Sequence, residues 1–282
     1  MNLADFIATH MPALERDEPR HNLILGILGT AAKDPNSKLM TWTLGEPGAC
    51  AVRSPGRPLV LGELDREQCR ALTDMTADLD HPGVVGPDPA PPWFVARAVE
   101  LGLSFMDPVP QRIYALREAP AYPGAAGRSR QVVAADAALF ADWFSAFLRE
   151  AVPFDPVPSR QELESAAGSG RYTFWLVDDE PVAMAGIARR SRTTGSVSGV
   201  YTPPAQRGRG YAGSVTAAVA ERIFGEGKTA ACLYTDLRNP ASNRCYAKIG
   251  FKPVCDAWHF ARQAEMGSDP AGLTPGTRPQ QA

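Results

Sequence analysis

The sequence lacks any apolar run long enough to cross a bilayer. Its longest, around Leu23 to Leu28, falls far short of the ~20 residues a spanning helix needs. Met1 to His10 has neither a basic start nor a long apolar core, so neither a secretory signal nor a membrane partner is expected. Charge of one sign is not in excess either: 29 basic residues stand against 31 acidic ones, which gives no reason to expect a nucleic-acid partner. Cysteine is sparse. Cys50, Cys69, Cys232, Cys245 and Cys255 are scattered without paired metal-ligand spacing, so no metal site is expected. A reducing cytoplasm suits such usage, and Cys232 and Cys245 read as small core residues.

What is present is 282 residues, enough for one large or two ordinary domains. Leu3 to Leu14 predicts a helix with Leu3, Phe6, Ile7, Met11 and Leu14 on one stripe, and Arg20 to Ala32 a second. Short strands are expected at 38–44, 49–53 and 58–61, then a helix capped by Asp65, a short strand at 83–86, a helix at 93–101 and a strand at 112–116. The stretch 119–130, APAYPGAAGRSR, reads as a Pro/Gly linker. Beyond it come a strand at 131–134 and an aromatic-striped helix at 136–150. Ser159 with Glu162 makes a capping box, and a hairpin turns at Asp178-Asp-Glu. Residues 266–282 have the polar composition of a disordered tail.

The chain is organised around Val197 to Phe251. Val197 to Thr202 reads as a strand stopped by Pro203 and Pro204. A loop with Gly208, Gly210 and Gly213 follows, and Tyr211 to Phe224 predicts a helix closed by Gly225 and Gly227. The first turn of a helix presents N–H groups without intrahelical partners and the positive end of its dipole, which together attract phosphate. Glycine lets the backbone approach closely, and Arg207 and Arg209 are expected to add positive charge. A nucleoside-triphosphate loop fails because Ser214 stands where lysine is required. A dinucleotide fingerprint matches at Gly208, Gly210 and Gly213, with Asp236 as a ribose acid. However, PPAQR intrudes after the strand and too little chain follows.

Arg207-x-x-Gly210-x-Ala212 resembles the R/Q-x-x-G-x-G/A loop of the GCN5-related N-acetyltransferase (GNAT) family. Downstream, Asn239-Pro-Ala-Ser-Asn243-Arg-Cys-Tyr246-Ala-Lys-Ile-Gly250-Phe251 is similar to the family's N-x-x-[SA]-x-x-x-Y-x-x-x-G-F pattern. The resemblance covers about Gly127 to Gln263. It implies an α/β fold with a mixed sheet, the acyl-CoA N-acyltransferase fold. The order of elements before the linker echoes the order after it, so a tandem arrangement is expected. Residues 1–118 would be a degenerate copy, 119–130 the linker and 131–265 the catalytic domain. The first copy carries acids in Gly62-Glu-Leu-Asp-Arg where phosphate would sit, so it is not expected to bind coenzyme A.

The resemblance further implies acetyl-CoA as cosubstrate and assigns the site. Main-chain groups of Val200 and Thr202 would pair with the pantetheine arm. N–H groups of Arg207, Gly208, Arg209, Gly210, Tyr211, Ala212 and Gly213 would hold the diphosphate. Asn239 and Asn243 would touch the cofactor, although Asn239 also reads simply as the N-cap of a helix after Pro240. Tyr246 would protonate the departing thiolate. Gly250 closes that helix, and Phe251 is expected to open a final hairpin.

The expected activity is therefore transfer of an acetyl group to a primary amine, on a small molecule or peptide, by direct attack. The amine must lose its proton, since its unperturbed pKa is ~10.4. The thioester oxygen needs a donor, worth about 2.7–4 kcal/mol, which an N–H near Val200 would provide. For the base, Asp236, His259 or a residue of the N-terminal half remain open. Cys245 has no evident activating partner, so no acyl-enzyme is expected. The alternatives are a non-catalytic acyl-CoA-binding module and a transferase of longer acyl or aminoacyl groups. A homodimer is allowed.

Overall fold

The computed structural model describes residues 1–152 and 157–263. The tail read as disordered lies outside the described residues. Two helices open the chain, α1 (Leu3–Leu14) and α2 (Glu18–Ala31). Three antiparallel-joined strands follow: β1 (Met40–Thr43), β2 (Cys50–Arg53) and β3 (Leu59–Leu61). Then come α3 (Arg66–Thr76), β4 (Gly83–Pro87), α4 (Ala90–Glu100) and β5 (Val109–Leu116). Asp65 caps α3 with a complete capping box to Gln68.

After the linker, β6 is Arg128–Gln131 rather than 131–134; Ala134–Asp136 forms a 3₁₀ turn instead. The second half continues with α5 (Ala137–Ala151), α6 (Arg160–Ala167), β7 (Tyr172–Val177), β8 (Glu180–Arg190), β9 (Thr194–Tyr201), α7 (Tyr211–Gly225), β10 (Ala230–Asp236), α8 (Pro240–Ile249) and β11 (Lys252–Ala261). The Ser159–Glu162 box caps α6. Asp178 and Asp179 turn the β7–β8 hairpin with positive φ, 49° and 65°.

All eleven strands form one mixed sheet, ordered β1-β2-β3-β4-β11-β5-β10-β9-β8-β7-β6. The last strand of each half crosses over. β5 pairs antiparallel with β10, and β11 pairs antiparallel with β4. The two crossed strands also pair antiparallel with each other. The expected final hairpin after Phe251 is thus a single long strand, because its partner is supplied by β5. Each half also holds one parallel pair, β3 with β4 and β9 with β10. Residues 3–116 and 137–261 run through the same order: two helices, three strands, helix, strand, helix, strand.

The strands sort their side chains with period two. Cys50, Val52 and Val60 face α1 and α2, whereas Ala51, Leu59 and Leu61 face α3 and α4. In the second half Ala183, Ala185 and Ile187 pack with α7 and α8, while Met184 packs with the aromatic stripe of α5, led by Phe140. Burying each large apolar side chain contributes about 1.5–3 kcal/mol. The aromatic stripe is therefore core, as its spacing predicts. Helix α2 packs against β8, β9 and β10 as well as β3, so the first half braces the second.

Candidate active site

The site begins with a defect in β9. Between the pairs Met184–Tyr201 and Gly186–Ser198 the register shifts by one residue. Gly199, at φ +66°, takes the left-handed conformation a bulge requires. A β-carbon there would lie 3.1 Å from Phe144 Cε2. Strand β10 is in register with β9 only from Ala230 to Cys232, opposite Thr194 to Ser196. Beyond that point β9 follows β8, and β10 follows β5 as far as the Asp236–Gln111 pair. The parallel pair therefore opens toward its C-terminal end into a cleft.

Chain leaving β9 passes Pro203 into a short 3₁₀ turn, Pro204–Gln206. Gly208 and Gly210 follow at φ 81° and 83°, and Gly210 is the N-cap of α7. Ser214 is the first residue of this turn whose N–H is bonded, to the carbonyl of Gly210 at 3.1 Å. Among the described residues, no acceptor takes the N–H groups of Gly208 through Gly213. A row of unspent donors at the positive end of a fifteen-residue helix is a place for an anion.

Arg207 departs from expectation. Its N–H bonds the Pro204 carbonyl at 3.3 Å. Its guanidinium donates to the Thr202 carbonyl at 2.9 Å and to Glu150 of α5 at 2.7 Å, and it lies 5.9 Å from the Tyr201 ring centre. The side chain thus anchors the loop, its charge spent on Glu150, and the Thr202 carbonyl is engaged as well. Arg209 is exposed and makes no hydrogen bond among the described residues, so it is the arginine whose charge faces outward.

Residues 137–251 match the model of the acetyltransferase (GNAT) family. This segment is a GNAT acyltransferase domain. Curated proteins give no match. Among solved structures, a GCN5-related N-acetyltransferase from Kribbella flavida has a TM-score of 0.58 at 17% identity, covering 88% of this chain and 97% of that one. A GCN5-related N-acetyltransferase from Sphaerobacter thermophilus scores 0.54 at 14%, covering 86% and 90%. A tandem GNAT protein from the clavulanic acid biosynthesis pathway scores 0.52 at 13%, covering 85% and 87%. At such identities the likeness concerns the fold, and it reaches across both halves of the chain.

Helix α8 packs beside α7 and β10. Asn239 caps it, its side-chain oxygen accepting the Ser242 N–H at 3.1 Å. Asn243 is fully engaged within the chain: its amide donates to the carbonyls of Asp236 and Asn239 at 2.9 and 2.7 Å, and its oxygen accepts from Tyr114 of β5 at 3.0 Å. Both asparagines therefore fix the helix to the end of β10. Tyr246 is buried, edge-on to Phe251 at 6.1 Å between centroids. It shares one cluster with Val197 of β9, Leu233 of β10 and Val215 of α7, the elements that line the cleft. Burial pushes its phenol well above the ordinary value; Cys245 adds to this, while a hydrogen bond with Ser242 opposes it. The phenol is therefore held in its protonated form. Burial likewise raises the Cys245 thiol, with Lys248 opposing, which disfavours the thiolate a covalent route needs.

Of the base candidates, Asp236 accepts the Arg238 N–H at 2.7 Å and pairs with its guanidinium at 3.2 Å. His259 lies on β11 opposite Val85 and Val109, so β5 stands between it and β10. The Asp236 charge is thus paired, and His259 stands two strands from β10.

Reading residues 119–130 as a plain linker misses part of the wall. The Ala125 N–H donates to Ser214 Oγ at 2.7 Å, and Tyr122 lies against Gly213. An aromatic residue inside a Pro/Gly stretch is the signal the sequence offers.

Proposed function

We propose that the protein transfers an acetyl group from acetyl-CoA to a primary amine. The carrying observation is the row of open amides from Gly208 to Gly213 beside the cleft between β9 and β10. Those amides and Arg209 would hold the diphosphate, and main-chain groups near Val200 would meet the pantetheine arm. Arg207, Asn239 and Asn243 serve by fixing the loop and helix.

In the reaction the amine nitrogen adds its lone pair to the thioester carbon. The oxygen takes negative charge and is met by an N–H of the Gly199–Val200 bulge, which the register shift removes from regular pairing. The C–S bond then breaks, the sulfur takes the proton of Tyr246, and the nitrogen releases its proton to water. The phenolate left on Tyr246 is reprotonated from solvent, which has taken up the proton released by the nitrogen, so the product amide and the thiol leave with the phenol restored. The acceptor enters as the free amine. A reducing cytoplasm suits five cysteines that are all unpaired. Among the described residues, no helix is long and apolar enough to cross a membrane.

We read residues 1–118 as a second copy of the fold that has lost the carrier loop. Its helix α3 starts with Asp65 and Glu67, and carboxylates at that turn repel a diphosphate.

Incubation with labelled acetyl-CoA and a panel of amines tests the reading. Transfer to at least one amine is expected, and Tyr246→Phe should lower kcat by tenfold or more while leaving the Kd for coenzyme A near wild type. Tight binding without transfer to any amine would favour a non-catalytic acyl-CoA-binding module.

A further inference from the structure

We infer that Tyr122, in the segment joining the two halves, is a ligand of the carrier's diphosphate; this rests on the reading of the α7 turn given above. The ring lies directly on Gly213. A β-carbon at that position would stand 2.5 Å from Tyr122 Oη and 2.8 Å from Cζ, closer than any side chain allows. At Gly210 a β-carbon would be 3.9 Å from the same hydroxyl and 3.7 Å from Ala125 Cβ. Residues 210 and 213 lie on one side of a helical turn. The phenol oxygen therefore stands beside the turn whose N–H groups are open.

The segment is held in place. Ser214 Oγ accepts the Ala125 N–H at 2.7 Å and reaches the Gly210 carbonyl at 3.3 Å. Trp175 Nε1 donates to the Ala126 carbonyl at 3.1 Å. Tyr122 is half-buried, packed on the same cluster as Tyr211 and Cys245. Among the described residues its hydroxyl makes no hydrogen bond. A phenol fixed by its ring, with an unspent O–H, at a row of unspent N–H groups is arranged to add one more donor to the same anion. This also accounts for the third glycine. The R-x-x-G-x-A loop asks for Gly210 and a small residue at 212, whereas nothing in it requires glycine at 213; the Tyr122 ring does.

The test is calorimetric titration of the full chain with coenzyme A, for wild type, Tyr122→Phe and Tyr122→Ala. Removing the hydroxyl alone should raise Kd about tenfold, the size of one charge-assisted hydrogen bond, with an unchanged melting temperature. Turnover of S-acetyl-pantetheine, which has no diphosphate, should be the same in wild type and Tyr122→Phe; a purely structural role would shift both or neither. Wild-type affinity in Tyr122→Phe, with wild type binding normally, overturns the assignment of Tyr122 and spares the loop. Tighter binding by Tyr122→Ala also overturns it, since the ring would then be a cover over the site. Failure of wild type to bind coenzyme A removes the reading of the α7 turn and this inference with it.

Discussion

Tyr114 Oη donates to Asn243 Oδ1 across 3.0 Å, and the two residues come from opposite halves of the chain. Tyr114 sits on β5, paired with Leu233 of β10. Asn243 sits on α8, three residues before Tyr246. The strand exchange thus brings a hydroxyl of the first half to the helix that carries the proposed proton donor. Tyr114→Phe leaves the Asn243 oxygen without its donor, at a cost of about 1 kcal/mol. The melting temperature should fall by about 2–4 °C. Equal thermal stability of variant and wild type would show that the contact carries no weight.

Gly199 makes a bulge in β9 against β8, three residues beyond the last β9–β10 pair at Ser196. Its φ is +66°, and a β-carbon added there would lie 3.1 Å from Phe144. Alanine costs about 1–2 kcal/mol in this left-handed conformation. Regularising the strand would instead withdraw the N–H proposed to meet the oxyanion. Gly199→Ala should therefore lose kcat by tenfold or more and lose much less affinity for coenzyme A, measured by steady-state kinetics beside titration. Full turnover in this variant would place the oxyanion donor elsewhere.

Much of the local structure is legible in the sequence because it depends on near neighbours. Asp65, Ser159 and Asn239 cap helices through bonds to residues three positions on, and Gly250 ends α8 at φ 110°. The glycine loop before α7 is legible for the same reason: open amides follow from a glycine N-cap and a helix start. The exchange of β5 and β11 is not, because a period-two strand fixes its faces and not its partner. Arg207 reads as free charge in the sequence, since its partner Glu150 lies 57 residues away in the chain. Tyr122 is hidden by the Pro/Gly composition around it.

Stability should depend on pH through the first half. Burial lowers the pKa of His21 and of His81 below 6.5; Glu63 opposes the shift at His21, and the Gly83 carbonyl opposes it at His81. His21 Nδ1 and His81 Nε2 are buried without partners among the described residues. An unfolded chain takes up protons at ~6.5, so stability is full above that pH and falls as the solution is acidified below it. The carboxylates lowered by their partners, such as Asp136 beside Arg130, titrate below their ordinary value of 3.8, so the stability they add is intact across this range and is lost only in stronger acid. Melting curves between pH 7.5 and 5 should show the loss, reduced in a His21→Gln, His81→Gln double variant. A flat profile would mean both imidazoles accept protons in place.

The central claim is that main-chain amides between Gly208 and Gly213 hold the diphosphate of an acyl carrier. A crystal structure with acetyl-CoA measures this most directly. The account predicts diphosphate oxygens within hydrogen-bond distance of those N–H groups and the thioester in the cleft between β9 and β10. Acetyl-CoA bound away from α7, or a soaked nicotinamide nucleotide occupying that turn in its place, would contradict it.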